Sequence, residues 1–485
     1  MTMNLKSPRP MAVRWRAVAG LALYMAMLGA ALAAPAARVP VAPTDPVTGV
    51  VAVSPQQLAP SYWIARQPDP DRVILDRAGI AAQNARMRAS DPHILDLRRL
   101  PSPLPATFVR GEIDKLSVRP ERPLYDVQGQ AIASTQLDTI AANLALADIP
   151  AQRPLQYGLV TRRAALRTFP TTLRVFSSSD DTDIDRFQES ALFPGDAVAV
   201  LHQSADGQWL FIASERYNAW IEKNAVATGS AEQVFGYGAS GPARVVTGAT
   251  AFTAYTPEQP QVSRLQLDMG VRVPVLADWP IDRAVNGQHA YTSWVVQLPI
   301  RNADGSLALV PALLPRVEDT AGDYLPLTPR NLITQAFKFL GERYGWGHSY
   351  DTRDCSGFVS EIYRSFGVLL PRNTSAQAIS PALDRIAFDK RDGRDKRQAA
   401  VRELQVGDLV YIPGHVMVTL GHDGGLTYMI HDTAGGGWAG PDGKRVSAHL
   451  NGVSVTPLEP MLASDTVTYV DRITNIQRIR PQTHE

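Results

Sequence analysis

The chain has 485 residues, 45% of them hydrophobic, with 48 basic against 47 acidic side chains and a formal net charge of +1. So even a balance gives no basis for nucleic acid or an anionic membrane as a partner. A single cysteine excludes internal disulfides, so packed cores must supply the stability, and the length allows three or four domains of ~100–200 residues each.

Taken in order, residues 1–33 carry Lys6, Arg9, Arg14 and Arg16, then the apolar run Ala17 to Ala31, and Ala31-Leu32-Ala33 is an A-x-A cleavage site. The apolar core is short for a bilayer span, and no cysteine follows the site to take a lipid. The expectation is an exported chain, periplasmic or secreted, without a stable membrane anchor. Residues 34–60 are rich in Pro, Ala and Val without periodicity and read as a linker. Residues 61–154 mix helical patterns with proline-rich connections. Ile74, Leu75, Ala78, Ile80 and Ala81 mark one helix, and Leu137, Ile140, Ala141 and Leu144 another.

From 155 to 230 the text turns to short strands: Leu173–Phe176, Ala197–His202, Trp209–Ile212 and Ala219–Ile221. Phe193-Pro194-Gly195-Asp196, Ser204-Ala205-Asp206-Gly207-Gln208-Trp209 and a closing Trp220 resemble a bacterial SH3-like domain. Residues 240–318 repeat the style in Val271–Leu276 and Trp294–Leu298, which argues a second barrel of the same class without a strict repeat.

The only cysteine stands in Arg353-Asp354-Cys355-Ser356-Gly357-Phe358. Phe358, Val359, Ile362, Tyr363 and Phe366 recur at helical spacing and Gly367 is a natural stop, so a helix from Cys355 to Phe366 puts the thiol on its first turn. There, free N–H groups and the dipole favour a thiolate. Downstream, Gly407-Asp408-Leu409-Val410-Tyr411-Ile412-Pro413-Gly414-His415 reads as a strand and turn. A strand from His415 to Leu420 and another from Leu426 to His431 follow. Pairing Gly421 with Leu426 sets His415 opposite Asp432, and a bulge in the Gly424-Gly425 loop would bring His415 and His431 face to face. Nucleophile, base and orienter are then all present. Zinc held by Cys355, His415 and His431 is the competing reading, but no Cys-x-x-Cys or His-x-x-x-His spacing supports it, and no metal or cofactor is expected. His348, His422 and His449 read as surface or turn residues. The mixed-sign run Asp389 to Arg397 reads as a solvated loop.

Asp-Cys-Ser-Gly-Phe, Gly-Asp-Leu-Val-Tyr, a Gly-His opening one strand and an Ile-His ending the next resemble the NlpC-type bacterial cell-wall cysteine peptidases, over about 325–480. Tyr344-Gly345-Trp346-Gly347 matches that family's Tyr-Gly-Trp-Gly-Gly loop, except that His348 stands where glycine is usual. The resemblance implies a papain-like catalytic domain in an α+β multidomain chain, in which the helical N-terminal segment braces two SH3-like barrels. It implies Cys355 as nucleophile, His415 as base, His431 as orienter and Tyr344 at the oxyanion. It further implies γ-D-glutamyl–diamino-acid endopeptidase activity on peptidoglycan-derived peptides with a free N-terminal L-Ala. Asp354, Ser356 and Trp346 near the nucleophile, and Glu189 and Tyr217 from the first barrel, would bind that substrate. For Asp354 and Ser356 the competing reading is a helix cap and first-turn hydroxyl, and for Glu189 and Tyr217 it is a solvated loop. Two further functions stay open: a wall-binding scaffold, and another thiol amidase or acyltransferase.

Overall fold

A computed structural model describes residues 48–481, so the expected export signal and the first part of the expected linker lie outside the described residues. No helix among the described residues is long and apolar enough to cross a membrane. Linker character does not extend to residue 60. Val53 and Gln57 are buried, and Gln57 Nε2 donates at 3.0 Å to Asp423, at the tip of a hairpin in the C-terminal domain. Burial of these two side chains pins the segment to the C-terminal domain.

After a short helix at Pro60–Ile64, three longer ones follow: α1 (Arg77–Ser90), α2 (Ala106–Leu116) and α3 (Ser134–Ala142). Asp76 caps α1 by accepting from the Gly79 N–H at 2.7 Å. The helical segment divides its apolar residues between two cores. Trp63, Leu75, Ile80 and Met87 pack with the C-terminal domain. Val109, Ile113, Ile140 and Leu144 pack with Phe187, Phe211 and Trp220 of the sheet that follows.

That sheet has seven antiparallel strands: β1 (Gln156–Val160), β2 (Ala164–Arg167), β3 (Gln188–Leu192), β4 (Ala197–Gln203), β5 (Trp209–Ser214), β6 (Asn218–Glu222) and β7 (Val226–Gly229). Their order is β3-β2-β6-β5-β4-β1-β7. The expected strand Leu173–Phe176 does not form. Phe176 makes only an isolated bridge to Tyr125, so its backbone N–H and carbonyl are satisfied by the helical segment rather than by the sheet. Residues 243–321 build a second β-unit around Val246, Leu267, Val273, Leu298 and Leu314, with the long hairpin Ser293–Arg301 and Leu307–Pro315 at its centre.

In the C-terminal domain, helices α4 (Pro329–Phe337), α5 (Cys355–Arg364) and α6 (Thr374–Ile379) pack on a six-stranded antiparallel sheet. Its strands are β8 (Asp384–Ala387), β9 (Leu409–Ile412), β10 (His415–Asp423), β11 (Leu426–Thr433), β12 (Gly452–Pro457) and β13 (Asn475–Arg478), in the order β8-β13-β9-β10-β11-β12. Phe358, Val359 and Ile362 of α5 lie against Val416, Val418 and Ile430 in one core. The charged run 389–397 is not all solvated loop. A helix begins at Arg394, and Arg397 is buried with its Nε on the Ile473 carbonyl at 3.0 Å. Carbonyl acceptors make that burial possible.

Candidate active site

The cysteine helix starts where its sequence dictates. Asp354 is the cap: its Oδ1 accepts from the Gly357 N–H at 2.8 Å, and the helix runs to Arg364 before Gly367, at φ 79°, turns the chain away. Cys355 is 5% exposed. Its Sγ lies 3.4 Å from Thr374 Oγ1 of α6, and the Val416 N–H, next to His415, also points at the sulfur. Among the described residues no hydrogen bond joins Cys355 directly to His415. As first residue of α5, Cys355 has a backbone N–H without an intrahelical acceptor.

The register of the histidine hairpin differs from the expected one. Asp423 pairs with Leu426 and Gly421 with Tyr428, around a two-residue turn in which Gly424 and Gly425 both take positive φ, 57° and 81°. The bulge is present, but at Leu420, where the register slips before Thr419 pairs with Met429 and Val418 with Ile430. A tight Gly-Gly turn closes the strands without slack, so the extra residue is absorbed inside β10. His415 Nε2 lies 2.7 Å from His431 Nδ1, and His431 Nε2 lies 2.9 Å from Thr456 Oγ1 on β12. Only Nδ1 of His415 is left to face a nucleophile.

Burial sets the resting protonation states. It pushes the Cys355 thiol up to about 12, reinforced by the Asp354 charge, and pulls His415 down to about 4. His431 is lowered too, by burial and then by His415. The resting pair is therefore neutral thiol and neutral imidazole, the reverse of the preformed thiolate expected from the helix dipole. Desolvation outweighs a dipole contribution of about 0.3–1 kcal/mol. Tyr344 is buried, and its phenol is raised by burial and by the neighbouring Cys355 and Asp354. Asp432 is fully buried with neither carboxyl oxygen hydrogen-bonded, and burial, then Asp354 and Glu342, push its carboxyl well above the usual carboxylate range.

Asp354 does more than cap. Arg372 donates to both of its oxygens, at 3.1 and 2.7 Å, and the Gly347 N–H adds a bond at 3.0 Å. Burial would raise this carboxyl, but Arg372 overrides it and holds Asp354 at about 2. Ser356 Oγ lies within the same cluster, 2.9 Å from Arg372 and 3.2 Å from Asp354. Arg372 Nε also donates to Ser190 Oγ on β3 at 2.7 Å, and Trp346 Nε1 to the Gln188 carbonyl at 3.1 Å. The seven-stranded sheet thus forms one wall beside the cysteine. On that wall, Glu189 accepts from Thr168 Oγ1 at 2.6 Å and from the Tyr217 hydroxyl. Burial and then Glu189 raise the Tyr217 phenol, and Asn373 also bonds to it.

His348 is no surface residue. It is 4% exposed, at φ 65°, with Nδ1 3.0 Å from Arg372 and Nε2 2.9 Å from Glu361 Oε1. It fills the loop position where glycine was expected, and its side chain bridges Arg372 to Glu361. Glu361 in turn meets Arg353 at 2.8 Å, and Arg353 reaches Asp268 of the second β-unit at 2.8 Å. His422 and His449 are exposed. Sequence reading missed Arg372, Thr374, Thr456, Arg353 and Asp432. Arg372 sits in Pro371-Arg372-Asn373, where nothing local marks it off from a solvated arginine. Among the described residues no three His, Cys, Asp or Glu side chains come together as a metal site.

Residues 341–444 match the NlpC/P60 family and residues 174–222 match an SH3 domain of the SH3b1 type. A γ-D-glutamyl-L-lysine dipeptidyl-peptidase of Bacillus cereus is 27% identical over 241 residues, 47% of this chain and 61% of that protein. A probable endopeptidase p60 of Listeria seeligeri is 32% identical over 121 residues, 22% of this chain and 20% of that protein. The chain thus matches less than two thirds of either relative's length. In fold, an NlpC/P60 endopeptidase from Photobacterium damselae subsp. piscicida superposes with a TM-score of 0.68 at 16% identity, over 87% of this chain and 97% of its own. With the cysteine helix, the histidine hairpin and the strand wall in place, these matches identify the chain as one that carries an NlpC/P60-family domain joined to an SH3 domain of the SH3b1 type.

Proposed function

We propose that the protein is a cysteine endopeptidase that hydrolyses the γ-D-glutamyl–diamino-acid bond of peptidoglycan stem peptides, acting on those with a free N-terminal L-Ala. The observation that carries the chemistry is the row His415–His431–Thr456 beside the start of the cysteine helix. When His431 Nε2–H donates to Thr456, His431 Nδ1 must accept from His415 Nε2–H, which leaves His415 Nδ1 as the free base. The base takes the Cys355 proton as sulfur attacks the amide carbonyl, and returns it to the leaving amine. Water then cleaves the acyl-enzyme with His415 again as base. Because thiol and imidazole are both neutral at rest, proton transfer accompanies attack. Catalytic hydrogen bonds commonly tighten only with substrate in place, which accommodates the present lack of a direct Cys355–His415 bond. The Cys355 N–H and the Tyr344 hydroxyl are the donors assigned to the oxyanion.

The charge pairing on the wall supports the substrate. Asp354 is paired with Arg372 at 2.7 Å, whereas Glu189 is held only by the hydroxyls of Thr168 and Tyr217 and has no basic partner among the described residues. Asp354 is already bonded to Arg372, so Glu189 with Tyr217 is the ammonium receptor and Asp354 organises it. Incubation with L-Ala-γ-D-Glu-diamino-acid tripeptide should release L-Ala-γ-D-Glu, identified by mass. An intact tripeptide after long incubation, with protein shown to be folded, would sink the reading.

A further inference from the structure

At the C-terminal end of the cysteine helix, away from the thiol, the helical segment, the first β-sheet and the catalytic domain meet around a cavity of about 670 Å³. Neither Cys355 nor Glu189 lines it. Its volume falls within the ~300–1,000 Å³ usual for small-molecule sites. Four guanidiniums line the cavity, each from a different element. Arg88 comes from α1, Arg98 from the short turn Leu97–Arg99, Arg216 from the turn between β5 and β6, and Arg364 from the last residue of α5.

Three carboxylates share the cavity, and each is engaged. Asp96 accepts from the Arg98 backbone N–H at 3.1 Å. Asp196 accepts from Arg364 Nη2 at 2.7 Å and from the Phe193 N–H at 2.9 Å, and Glu215 pairs with Arg88 at 2.7 Å. Donors are left over. Arg216 has no acceptor among the described residues, and Arg364 Nη1 is buried without one. Arg98 lies over the Phe235 ring at 4.2 Å and, among the described residues, pairs with no carboxylate. Burial, then the Arg364 charge, lower Arg216 to about 10, so both guanidiniums stay charged at neutral pH and repel each other in a desolvated space.

Confined like charges with unused donors make a receptor for an anion, since an ion that accepts from both removes the repulsion and satisfies the donors at once. A carboxylate is filled by one guanidinium fork in a single plane. A phosphate group offers three terminal oxygens in a tetrahedral arrangement and up to two negative charges, so it can take donors arriving from several elements. We propose that this cavity binds a phosphate group through Arg216, Arg364 Nη1 and Arg98, and so ties the helical segment to the first β-sheet and the catalytic domain. The free ion and a phosphate monoester share that chemistry, and the cavity has room for the organic body of the second. The site stands whatever bond the catalytic cleft cleaves.

The purified full chain, exchanged into chloride buffer, is titrated calorimetrically with inorganic phosphate and with glycerol 1-phosphate at constant ionic strength. At least one is expected to bind with a Kd of about 1 mM or below, and the tighter of the two tells which source fills the site. Sodium acetate should bind at least about tenfold more weakly. Arg216→Gln should weaken phosphate binding about tenfold or more, and Arg98→Gln, at an exposed position, about threefold or more. Because Arg216→Gln removes a repelled charge, it should melt no lower than wild type in chloride, yet lose the upward shift in melting temperature that wild type shows in phosphate. Absence of binding by both probes up to about 10 mM, acetate as tight as phosphate, or an affinity left unchanged by the two substitutions overturns the assignment.

Discussion

The two sides of the cleft are built on different logic. On one side, α5 and the β10–β11 hairpin place Cys355, His415 and His431 with few charges, and burial keeps thiol and imidazoles neutral. On the other, Ser190, Glu189 and Tyr217 of the SH3-type unit meet Arg372, Asp354 and His348 in a dense ionic cluster. The contrast teaches that reaction and recognition are separated by polarity. Under the proposed function, the desolvated pair keeps its proton until substrate arrives, while the fixed charges across the cleft choose which substrate that is. Chemistry should therefore fail for every substrate when the first side is altered, and only for the matching substrate when the second is.

The largest effect expected is that of Cys355→Ala, which should lower kcat by at least about four orders of magnitude without unfolding, since a small buried side chain is replaced by a smaller one. Single-turnover assay with thermal melts checks it, and residual turnover near wild type would break the comparison at its root. His431→Ala should cost about 10²–10⁴ in kcat, and His431→Asn less, because an amide can still accept from His415 Nε2–H. Equal losses from both would mean that orientation of His415 comes from elsewhere.

Across the cleft, Arg372→Met strands the buried Asp354 carboxylate and should cost about 3–5 kcal/mol of stability in denaturant titration. The double variant Arg372→Met with Asp354→Asn should recover part of that loss. Additive losses would deny the pair its coupling. Glu189→Gln should weaken kcat/KM for the free-amine tripeptide about tenfold while scarcely changing the N-acetylated one, which sharpens the distinction between recognition and reaction.

The smallest effect lies in pH. With His415 lowered to about 4, the acid limb of kcat/KM should fall near pH 4 rather than near the ordinary histidine value of about 6.5. Stability has the same sign. A histidine whose folded pKa is depressed binds its proton more readily when unfolded, so stability is full above about 6.5 and declines as pH falls toward 4. A flat melting temperature across that window in wild type, with the same behaviour in His415→Gln, would show that the imidazole is not desolvated.

The local frame of the proposed reactive half was largely legible in the sequence. Asp354 before the apolar periodicity of Phe358, Val359 and Ile362 announces a capped helix, and two short strands around Gly424-Gly425 announce a hairpin. Both signals are local, because caps, turns and periodicity depend on neighbours within a few residues. The bulge at Leu420 rather than in the loop escaped because register is settled by packing of the whole face and by the tightness of the turn. Arg372, Arg353 and His348 escaped for a deeper reason. A charged side chain becomes buried only when partners arrive from elsewhere in the chain, here Ser190 from 182 residues away and Asp268 from 85. The protonation states followed the same rule: helix position alone argued for a thiolate, and only the three-dimensional burial of Cys355 and His415 decided for a neutral pair. Local sequence thus determined which groups can react, and tertiary structure decided their charge and the wall they face, because desolvation and ion pairing exist only between parts of the chain that folding brings together.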